Sequence, residues 1–236
     1  MQPKYEFVAK TLEKEIIERK YNDDKKLPTE EELMKVFQVS KNTIRKAIDV
    51  LVSNGYVYRV QGSGVFLRDF FYNGFVNVMN MTGLTKNFSA DKIATKVIEL
   101  SLIDPTEKII EKLNCSPETK IYYVKRIRYL DGEPIEIEES YYNKDVICYL
   151  NNEICLGSIF KYITEDLKLN IGFANRVIST EKLSKEDAEF LNLEENDPSL
   201  NLENVVYLSN GKAFDYSIEK YNYLKIKLYN INKNKI

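Results

Sequence analysis

Apolar residues near the start of the chain recur every three or four positions, which is the period of an amphipathic helix. Tyr5, Val8, Leu12 and Ile16 follow this spacing and predict a helix near residues 4–20. The segment YNDDKKLP then interrupts the pattern with turn-forming residues. A second, shorter apolar stripe follows it and predicts another helix.

A capping box marks the predicted start of this second helix. Thr29 stands three positions before Glu32, so each side chain can accept a hydrogen bond from the other residue's backbone N–H. Three successive glutamates, residues 30–32, suit the positive end of a helix dipole. After the short turn QVS, Ser40 is placed to cap a third helix.

The third helix has an apolar stripe on one side and a polar, mostly basic face on the other. The stripe consists of Ile44, Ala47, Ile48, Leu51 and Val52. The polar face consists of Lys41, Asn42, Arg45, Lys46 and Asp49. Two helices joined by a short turn, the second of them basic, are typical of a helix-turn-helix, whose second helix enters the DNA major groove. A solvated charged face is the alternative for this helix taken alone.

The runs YVYRV and VFL flank the segment QGSG and predict a β-hairpin directly after the basic helix. Such a hairpin has the shape of a wing that lies along a DNA backbone or in its minor groove. Gly62 and Gly64 permit a close backbone approach. The order of the elements favours a wing over an ordinary hairpin.

Charge is unevenly divided along the chain. Residues 1–68 contain 13 basic and 10 acidic side chains, which leaves 21 basic and 26 acidic side chains for the rest. This division indicates a polyanion-binding module joined to a larger domain of different function.

Composition narrows the possible chemistry. The chain has no histidine, so the commonest general base and metal ligand is missing. The three cysteines have unrelated spacings and indicate reduced thiols, not a disulfide framework or a zinc site. No apolar run reaches the length of a membrane span, and the first residues lack a signal core. We therefore expect a cytoplasmic protein that has no metal, no cofactor and no membrane partner.

The remainder of the chain alternates strand-like and helical segments. DPTEKIIEKLNC, LGSIFKYITEDLKLN and SKEDAEFLNL predict helices, and hairpins are predicted to turn at Asp131-Gly132 and Asn210-Gly211. This pattern predicts an α+β domain on a mainly antiparallel sheet.

Two arginines in the first of these hairpins are candidate ligand-binding residues. Arg126 and Arg128 are two positions apart on a strand and therefore face the same side. Paired guanidinium groups suit a carboxylate or a phosphate. The alternative is a solvated ladder of charge pairs across the strands.

The position of Glu138 relative to these arginines depends on the turn. A two-residue loop would place Arg126 opposite Ile137 and send Glu138 to the other side. A three-residue loop would bring both arginines together with Glu136 and Glu138. The sequence leaves this choice open.

The segment LPTEEELMKVFQVSKNTIRKAIDVLVSNGYVYRVQGSGVFL resembles the winged helix-turn-helix of GntR-type bacterial transcription regulators. The shared features are a Leu-Pro start, a Val-Ser turn, a Thr-x-Arg helix, an Asn-Gly exit and a Gln-Gly wing. The resemblance implies a DNA-binding set of Thr29, Lys41, Asn42, Thr43, Arg45, Lys46, Arg59, Gly62 and Ser63. Glu31 departs from the family, because many relatives have a base-contacting arginine there, so the operator cannot be transferred from them.

Residues 75–230 resemble the UTRA effector domain of the HutC-like branch of GntR regulators, which has a chorismate-lyase-like fold. RIRYLDGEPIEIEESYY, LGSIFKYI and NGKAFDYSIEKY carry this resemblance. It implies a small-metabolite site, with a sugar phosphate as one candidate ligand, lined by Arg126, Arg128, Glu138, Ser158, Asp215 and Tyr221. Phosphate-binding relatives often place Ser or Thr beside the phenylalanine of Gly74-Phe75-Val76, and this chain lacks those hydroxyls.

We therefore expect a winged helix-turn-helix domain over residues 1–68, a linker over 69–74 and a UTRA domain over 75–230. The predicted function is a homodimeric transcription regulator, favoured as a repressor, that reads a palindromic operator and responds to a metabolite. The alternatives are an enzyme on a chorismate-lyase-like fold and a DNA-binding dimer without an effector. The absence of histidine and of a partnered nucleophile disfavours the enzyme, and the large second domain disfavours the effector-less dimer.

Overall fold

The computed structural model describes residues 3–18, 20–21, 24–68, 75–78 and 92–230. These residues form two compact units. One comprises the described residues of Met1–Phe75 and of Tyr229–Ile236, and the other spans Val76–Leu228. The predicted linker, residues 69–74, lies outside the described residues.

The first unit contains three helices and a hairpin. Its elements are α1 (Lys4–Ile17), α2 (Glu30–Phe37), α3 (Lys41–Ser53), β1 (Val57–Val60) and β2 (Gly64–Leu67). The helices share one apolar core, in which Leu12, Leu33, Ile44 and Ile48 are fully buried. The strands β1 and β2 pair antiparallel. The predicted order of three helices and a wing is confirmed.

Both predicted helix caps are present. The hydroxyl of Thr29 accepts from the Glu32 N–H at 3.3 Å, and the Glu32 carboxylate accepts from the Thr29 N–H at 2.7 Å. The hydroxyl of Ser40 accepts from the Thr43 N–H at 3.3 Å. Between α2 and α3, Gln38 adopts a left-handed conformation with φ 51°, which makes the turn tight enough for the two helices to pack.

The second unit is built on a six-stranded antiparallel sheet. Its strands are β4 (Ile93–Ile103), β5 (Ile121–Leu130), β6 (Glu133–Asn143), β7 (Ile171–Lys182), β8 (Pro198–Leu208) and β9 (Ala213–Asn222), in the spatial order β4-β5-β6-β9-β8-β7. A separate two-stranded sheet pairs β3 (Phe75–Asn77) with β10 (Lys227–Tyr229). The predicted α+β class with an antiparallel sheet is confirmed.

Short helices cover both faces of this sheet. The helices are α4 (Glu107–Leu113), α5 (Asn152–Leu156), α6 (Ile159–Lys161) and α7 (Lys185–Leu191), and a π-helical turn at Tyr162–Asp166 extends α6. α4 and α7 pack on one face, where Leu113 and Leu191 are buried. α5 and α6 pack on the other face, where Cys155 and Ile159 are buried. No helix in the described residues is both long and apolar enough to cross a membrane.

The hairpin of β5 and β6 places Glu138 opposite Arg126 by a route that neither sequence alternative included. Its loop has two residues, Asp131 and Gly132, with φ of 50° and 83°, as expected for a type I′ turn. A β-bulge follows, because Tyr129 pairs with Pro134 but Arg128 pairs with Glu136. Ile135 is the extra residue. The bulge, not a longer loop, therefore sets the register.

Candidate functional site

A band of polar side chains crosses the middle of one face of the sheet, and we call this band the polar floor. Residues directly opposite each other on antiparallel strands point to the same side, so the strand register defines its members. They are Arg126, Arg128, Glu136, Glu138, Ser140, Arg176, Asn204, Asp215, Ser217 and Glu219. Glu219 and Arg176 are partly exposed and the others are buried.

Apolar clusters bound the polar floor at both ends. One contains Val124, Tyr142 and Val206, together with the helix residue Ile159. The other contains Leu130, Leu202, Tyr221 and Ile226. The floor is therefore a polar strip in apolar surroundings, where electrostatic interactions are stronger than in water.

Arg126 is fully engaged at the ends of its guanidinium group. Its Nη2 lies 2.5 and 2.7 Å from the two carboxylate oxygens of Glu138. Its Nη1 donates to the carbonyls of Cys155 at 2.8 Å and Gly157 at 3.3 Å. The side chain thus ties the end of α5 to β5. A free carboxylate or phosphate would have to displace one of these partners to bind Arg126.

Glu138 remains ionised because it is surrounded by donors. Ser140 donates to it at 3.2 Å, and an Arg128 Nη1 lies 3.7 Å from its Oε2. Burial opposes the charge, but the charges of Arg126 and Arg128 and the hydrogen bonds outweigh it and hold the pKa of Glu138 below its usual range. The predicted ladder of charge pairs is present, but it is buried and not solvated.

The other three carboxyl groups of the floor behave differently. Burial, reinforced by neighbouring carboxylates, raises the pKa of Glu136 and of Asp215 well above the usual range. Burial and the charge of Glu138 raise the pKa of Glu219 to about 7. These groups therefore hold protons at a pH where exposed carboxyls are ionised, and a protonated carboxyl both donates and accepts hydrogen bonds.

Several buried oxygens on the floor lack a hydrogen-bond partner among the described residues. They are Glu136 Oε2, Asn204 Oδ1 and Asp215 Oδ1. A buried polar atom left unsatisfied costs about 1–3 kcal/mol. A ligand with hydroxyl or amine groups would remove that cost, so the floor is suited to a polar ligand rich in donors.

The remaining predicted effector residues have structural partners. The Tyr221 hydroxyl donates to the Glu219 carboxylate, and its ring packs in an apolar cluster at the end of the floor. The Ser158 hydroxyl accepts from the Lys161 N–H at 3.2 Å and caps α6. The structure thus brings five of the six predicted residues to one sheet face and leaves Ser158 as a cap next to Gly157.

Sequence reasoning missed three members of the floor with acidic, amide or guanidinium groups, which are Arg176, Asn204 and Glu219. It included Glu136 only in the alternative with the three-residue loop. The alternation of Asp215, Ser217 and Glu219 along β9 was a usable signal, because polar residues two apart share a face. Arg176 and Asn204 lie on β7 and β8 without any local pattern of this kind.

The polar face of α3 is the second candidate site. Lys41, Asn42, Arg45 and Lys46 are exposed on it. The Glu30 carboxylate accepts from Arg45 Nε at 3.0 and 3.2 Å and lies 3.8 Å from Lys41 Nζ. The hydroxyl of Thr43 lies 2.9 Å from that of Ser40. Part of the basic charge is therefore paired within the protein.

The wing lies beside this face. Arg59 on β1 donates to Asp49 of α3 at 2.5 Å, which links the hairpin to the helix. At the tip, Gly62 has φ 75° with open space around its Cα, and the Ser63 N–H donates to the Val60 carbonyl at 3.0 Å. Glycine is favoured here by backbone conformation and not by crowding.

Two family models match the chain and together cover both units. The model described as bacterial regulatory proteins, gntR family, matches residues 4–67, and the model described as UTRA domain matches residues 89–227. The chain belongs to the GntR family of transcription regulators. It is thus a regulator with a DNA-binding helix-turn-helix and an effector-binding UTRA domain, as the sequence resemblance implied.

Individual relatives of this GntR regulator agree with the assignment. The HTH-type transcriptional regulator YydK of Bacillus subtilis is 42% identical over 220 residues, which are 93% of each chain. Its crystal structure has a TM-score of 0.81, with 39% identity over 99% of this chain and 100% of that one.

Two further relatives of the regulator match over most of their lengths. The transcriptional regulator TreR of Bacillus subtilis is 29% identical over 91% of this chain and 90% of its own. The structure of the trehalose repressor TreR effector binding domain has a TM-score of 0.55, with 29% identity over 61% of this chain and 99% of that one. The mannosyl-D-glycerate transport/metabolism system repressor MngR of Escherichia coli is 25% identical over 93% of this chain and 92% of its own.

Proposed function

We propose that this regulator is a repressor whose affinity for its operator changes when a sugar-derived metabolite, such as a sugar or a sugar phosphate, binds at the polar floor. The observation that carries this proposal is the set of buried, unpaired oxygens on Glu136, Asn204 and Asp215. Sugar hydroxyls are donors and acceptors at once, and they match carboxyl and amide groups that also act as both.

The electrostatics of the floor favour hydroxyl groups as the main recognition element. The charge of Arg126 is already balanced by Glu138 at hydrogen-bond distance. The raised pKa values of Glu136 and Asp215 make these two groups suited to neutral partners. For the phosphate of a sugar phosphate, Arg128 and Arg176 supply further positive charge on the same face as Arg126.

The names of two relatives support a sugar-derived effector and a repressor role. TreR is named as a trehalose repressor, and MngR is named as a repressor of a mannosyl-D-glycerate system. We propose the same general class of effector for this chain, without transferring either compound.

DNA recognition is proposed to rest on α3 and the wing. Lys41, Asn42 and Arg45 would reach base edges in the major groove, with Thr29, Thr43, Lys46, Arg59, Gly62 and Ser63 placing the unit on the backbone. One helix-turn-helix reads too few base pairs for a unique site, so we propose a homodimer on a palindromic operator. Effector and DNA then change each other's affinity by the same factor.

We propose ligand recognition, and not catalysis, as the role of the perturbed carboxyls. Perturbed carboxyls also occur in active sites, and the enzyme alternative therefore has a definite signature. A bound sugar that is recovered chemically unchanged after long incubation supports the regulator. Turnover of that sugar would contradict the assignment.

A thermal-shift screen of the full chain against sugars, sugar phosphates and amino acids tests the effector class. A ligand at about 100 times its Kd adds roughly 2.7 kcal/mol to the free energy of unfolding, and we expect a sugar or sugar phosphate to raise the midpoint by several degrees. Asp215→Asn should reduce this shift, whereas Asp166→Asn, at an exposed position, should leave it intact. A midpoint shift that is unchanged in both variants would show that the ligand binds away from the polar floor.

A further inference from the structure

Lys26, which precedes α2, is held at the edge of the wing by backbone pairing. It forms an antiparallel bridge with Phe66 of β2. The next residue, Leu27, donates its N–H to the Val65 carbonyl at 2.9 Å. The segment before α2 therefore adds a short third strand to the hairpin, and Lys26 has a fixed backbone position beside β2.

The side chain of Lys26 lies on the face of the wing that points away from the core of the first unit. Val57 and Leu67 are buried in that core and define the inner face. Tyr58 and Phe66 point to the other face, because side chains alternate along a strand, and their rings stack with centroids 5.8 Å apart. Lys26 lies opposite Phe66 and shares its face. We call this surface the outer face of the wing.

The Lys26 side chain runs along the outer face toward the tip, residues 61–63. Its Nζ lies 5.4 Å from the centroid of the Phe66 ring. A Cβ at Gly64, the residue directly after the tip, would lie 2.7 Å from Lys26 Cε and 3.4 Å from Nζ. The glycine thus leaves the space that the lysine stem occupies. The stem packs on the hairpin and carries the ammonium group to the tip.

The charge of Lys26 is not neutralised by an ion pair among the described residues of the first unit. Glu32 interacts with it at longer range, but Oε2 of Glu32 already accepts from the N–H and the hydroxyl of Thr29 at 2.7 and 2.8 Å. By contrast, Arg59 on the inner face donates to Asp49 at 2.5 Å. The outer face therefore brings an ammonium group to the tip with its charge available to an anion.

A phosphate of the DNA backbone is the anion that fits this position. An ammonium group binds phosphate as a compact point charge, without the fixed geometry that a guanidinium group imposes. The tip with Gly62 and Ser63 is the part of the wing proposed to lie on the backbone, and the Lys26 ammonium lies beside it. A phosphate contact fixes the position of a protein on the duplex and carries no sequence information directly.

We propose that Lys26 is a DNA-contacting residue whose ammonium group binds a backbone phosphate beside the wing tip, and that Gly64 is required to leave room for its stem. The proposal rests on the proposed function in that the wing meets DNA. It adds a contact from the segment before α2 to the set on α3 and the hairpin. The contact should contribute affinity without changing the choice of operator.

The salt dependence of DNA binding by the full chain tests this contact. Lys26→Gln should bind several-fold more weakly to a selected operator and to an unrelated duplex alike, in fluorescence anisotropy. Its slope of log affinity against log salt should be less steep by about one unit. Lys26→Arg keeps the charge and should keep the slope. A purely structural role of Lys26 would lower stability and leave the slope unchanged, which would overturn the proposal.

Arg68 provides a matched control on the same hairpin. Its guanidinium carbon lies 5.6 Å from the centroid of the Tyr58 ring, but it follows β2 at the end away from the tip. Arg68→Gln removes the same charge from a cation that also lies over an aromatic ring, and it should leave the slope unchanged. An equal change of slope in Arg68→Gln and Lys26→Gln would mean that the position beside the tip has no special role.

A double-mutant cycle tests the requirement for Gly64. Gly64→Ala introduces a Cβ that displaces the Lys26 side chain, and it should weaken DNA binding several-fold in the parent. The backbone strain at φ 119° is the same in both backgrounds, so it cancels in the cycle. In the Lys26→Gln background, Gly64→Ala should therefore have a much smaller effect. Equal weakening in both backgrounds would contradict the placement of Lys26 over Gly64.

Arg45→Ala separates a failure of this inference from a failure of the proposed function. If Lys26→Gln keeps the affinity and slope of the parent while Arg45→Ala loses affinity, Lys26 is not a contact and DNA recognition by α3 still stands. If both variants bind DNA as tightly as the parent, the proposed DNA surface fails as a whole.

Discussion

The Nε–H of Arg45 in α3 donates a bifurcated hydrogen bond to the two carboxylate oxygens of Glu30 at the start of α2, at 3.0 and 3.2 Å. The two helices of the helix-turn-helix are thereby linked by a charged pair on the surface proposed to meet DNA. DNA phosphates would compete with Glu30 for this arginine, so the pair has consequences for binding that can be measured.

Removing Arg45 should weaken DNA binding and leave the effector site intact. Arg45→Ala loses one contact to a base or phosphate, and we expect a loss of roughly 1–3 kcal/mol in DNA affinity, with a smaller salt dependence if the contact is to phosphate. Fluorescence anisotropy with an operator selected from random DNA measures this. Lys35→Ala, an exposed lysine on α2, makes the same charge change and should have a much smaller effect. Equal losses of DNA affinity in both variants would show that Arg45 does not contact the DNA.

Removing the charge of Glu30 should strengthen the binding of non-specific DNA. Glu30→Gln releases Arg45 and Lys41 from an internal partner and removes a negative charge from the surface. We expect tighter non-specific binding and a steeper dependence of log affinity on log salt, by about one unit. Glu18→Gln, on the exposed end of α1, is the control. A slope unchanged in Glu30→Gln would show that Arg45 does not reach phosphate.

Breaking the buried pair of Arg126 and Glu138 should cost stability. Arg126→Ala leaves Glu138 buried without its main partner, and such losses amount to roughly 3–5 kcal/mol. The double variant Arg126→Met with Glu138→Leu should lose less than the sum of the single variants. Urea unfolding measures both. Additive losses would mean that the pair is not coupled, despite its hydrogen-bond distances.

The raised pKa of Glu219 predicts a pH dependence of stability. Its pKa rises from 4.5 to about 7 on folding, so the folded chain holds this proton more tightly than the unfolded chain. The resulting stabilisation is present below about pH 4.5 and is lost as the pH rises through 7. Glu219→Gln should flatten this part of the profile of unfolding free energy against pH. Glu165→Gln, at an exposed position, should leave the profile unchanged. An unchanged profile in Glu219→Gln would assign the titration to another group.

Local signals made the first unit predictable. The capping box of Thr29 and Glu32, the cap at Ser40 and the apolar stripe of α3 depend on residues a few positions apart, and all are present. The polar floor was predicted only in part, because Arg176 and Asn204 reach it through the order of strands in the sheet, which short-range periodicity does not encode.

The hairpin register shows why the sequence left an alternative open. Asp131-Gly132 predicts the position of the turn, but the β-bulge at Ile135 changes the register after the loop. Pro134 was the available signal, because proline inside a sheet is confined to edges and bulges. The bulge is stabilised by tertiary packing, since Ile135 is buried with Leu130 and Tyr221, and this packing is not visible in the local pattern.

Because Ile135 is an extra residue in the bulge, β6 can lose one residue there without a change in the pairing of the residues that follow it. A deletion at Ile135 would remove the bulge and still leave Glu136 opposite Arg128 and Glu138 opposite Arg126. A deletion further along the strand could be absorbed in the same way, because the bulge can straighten and restore the pairing beyond the lost residue. After a second deletion no bulge would remain to compensate. The register would then shift by one residue, and the side chains of β6 would exchange the two faces of the sheet. Length variation in this hairpin is thus expected to be tolerated once and not twice.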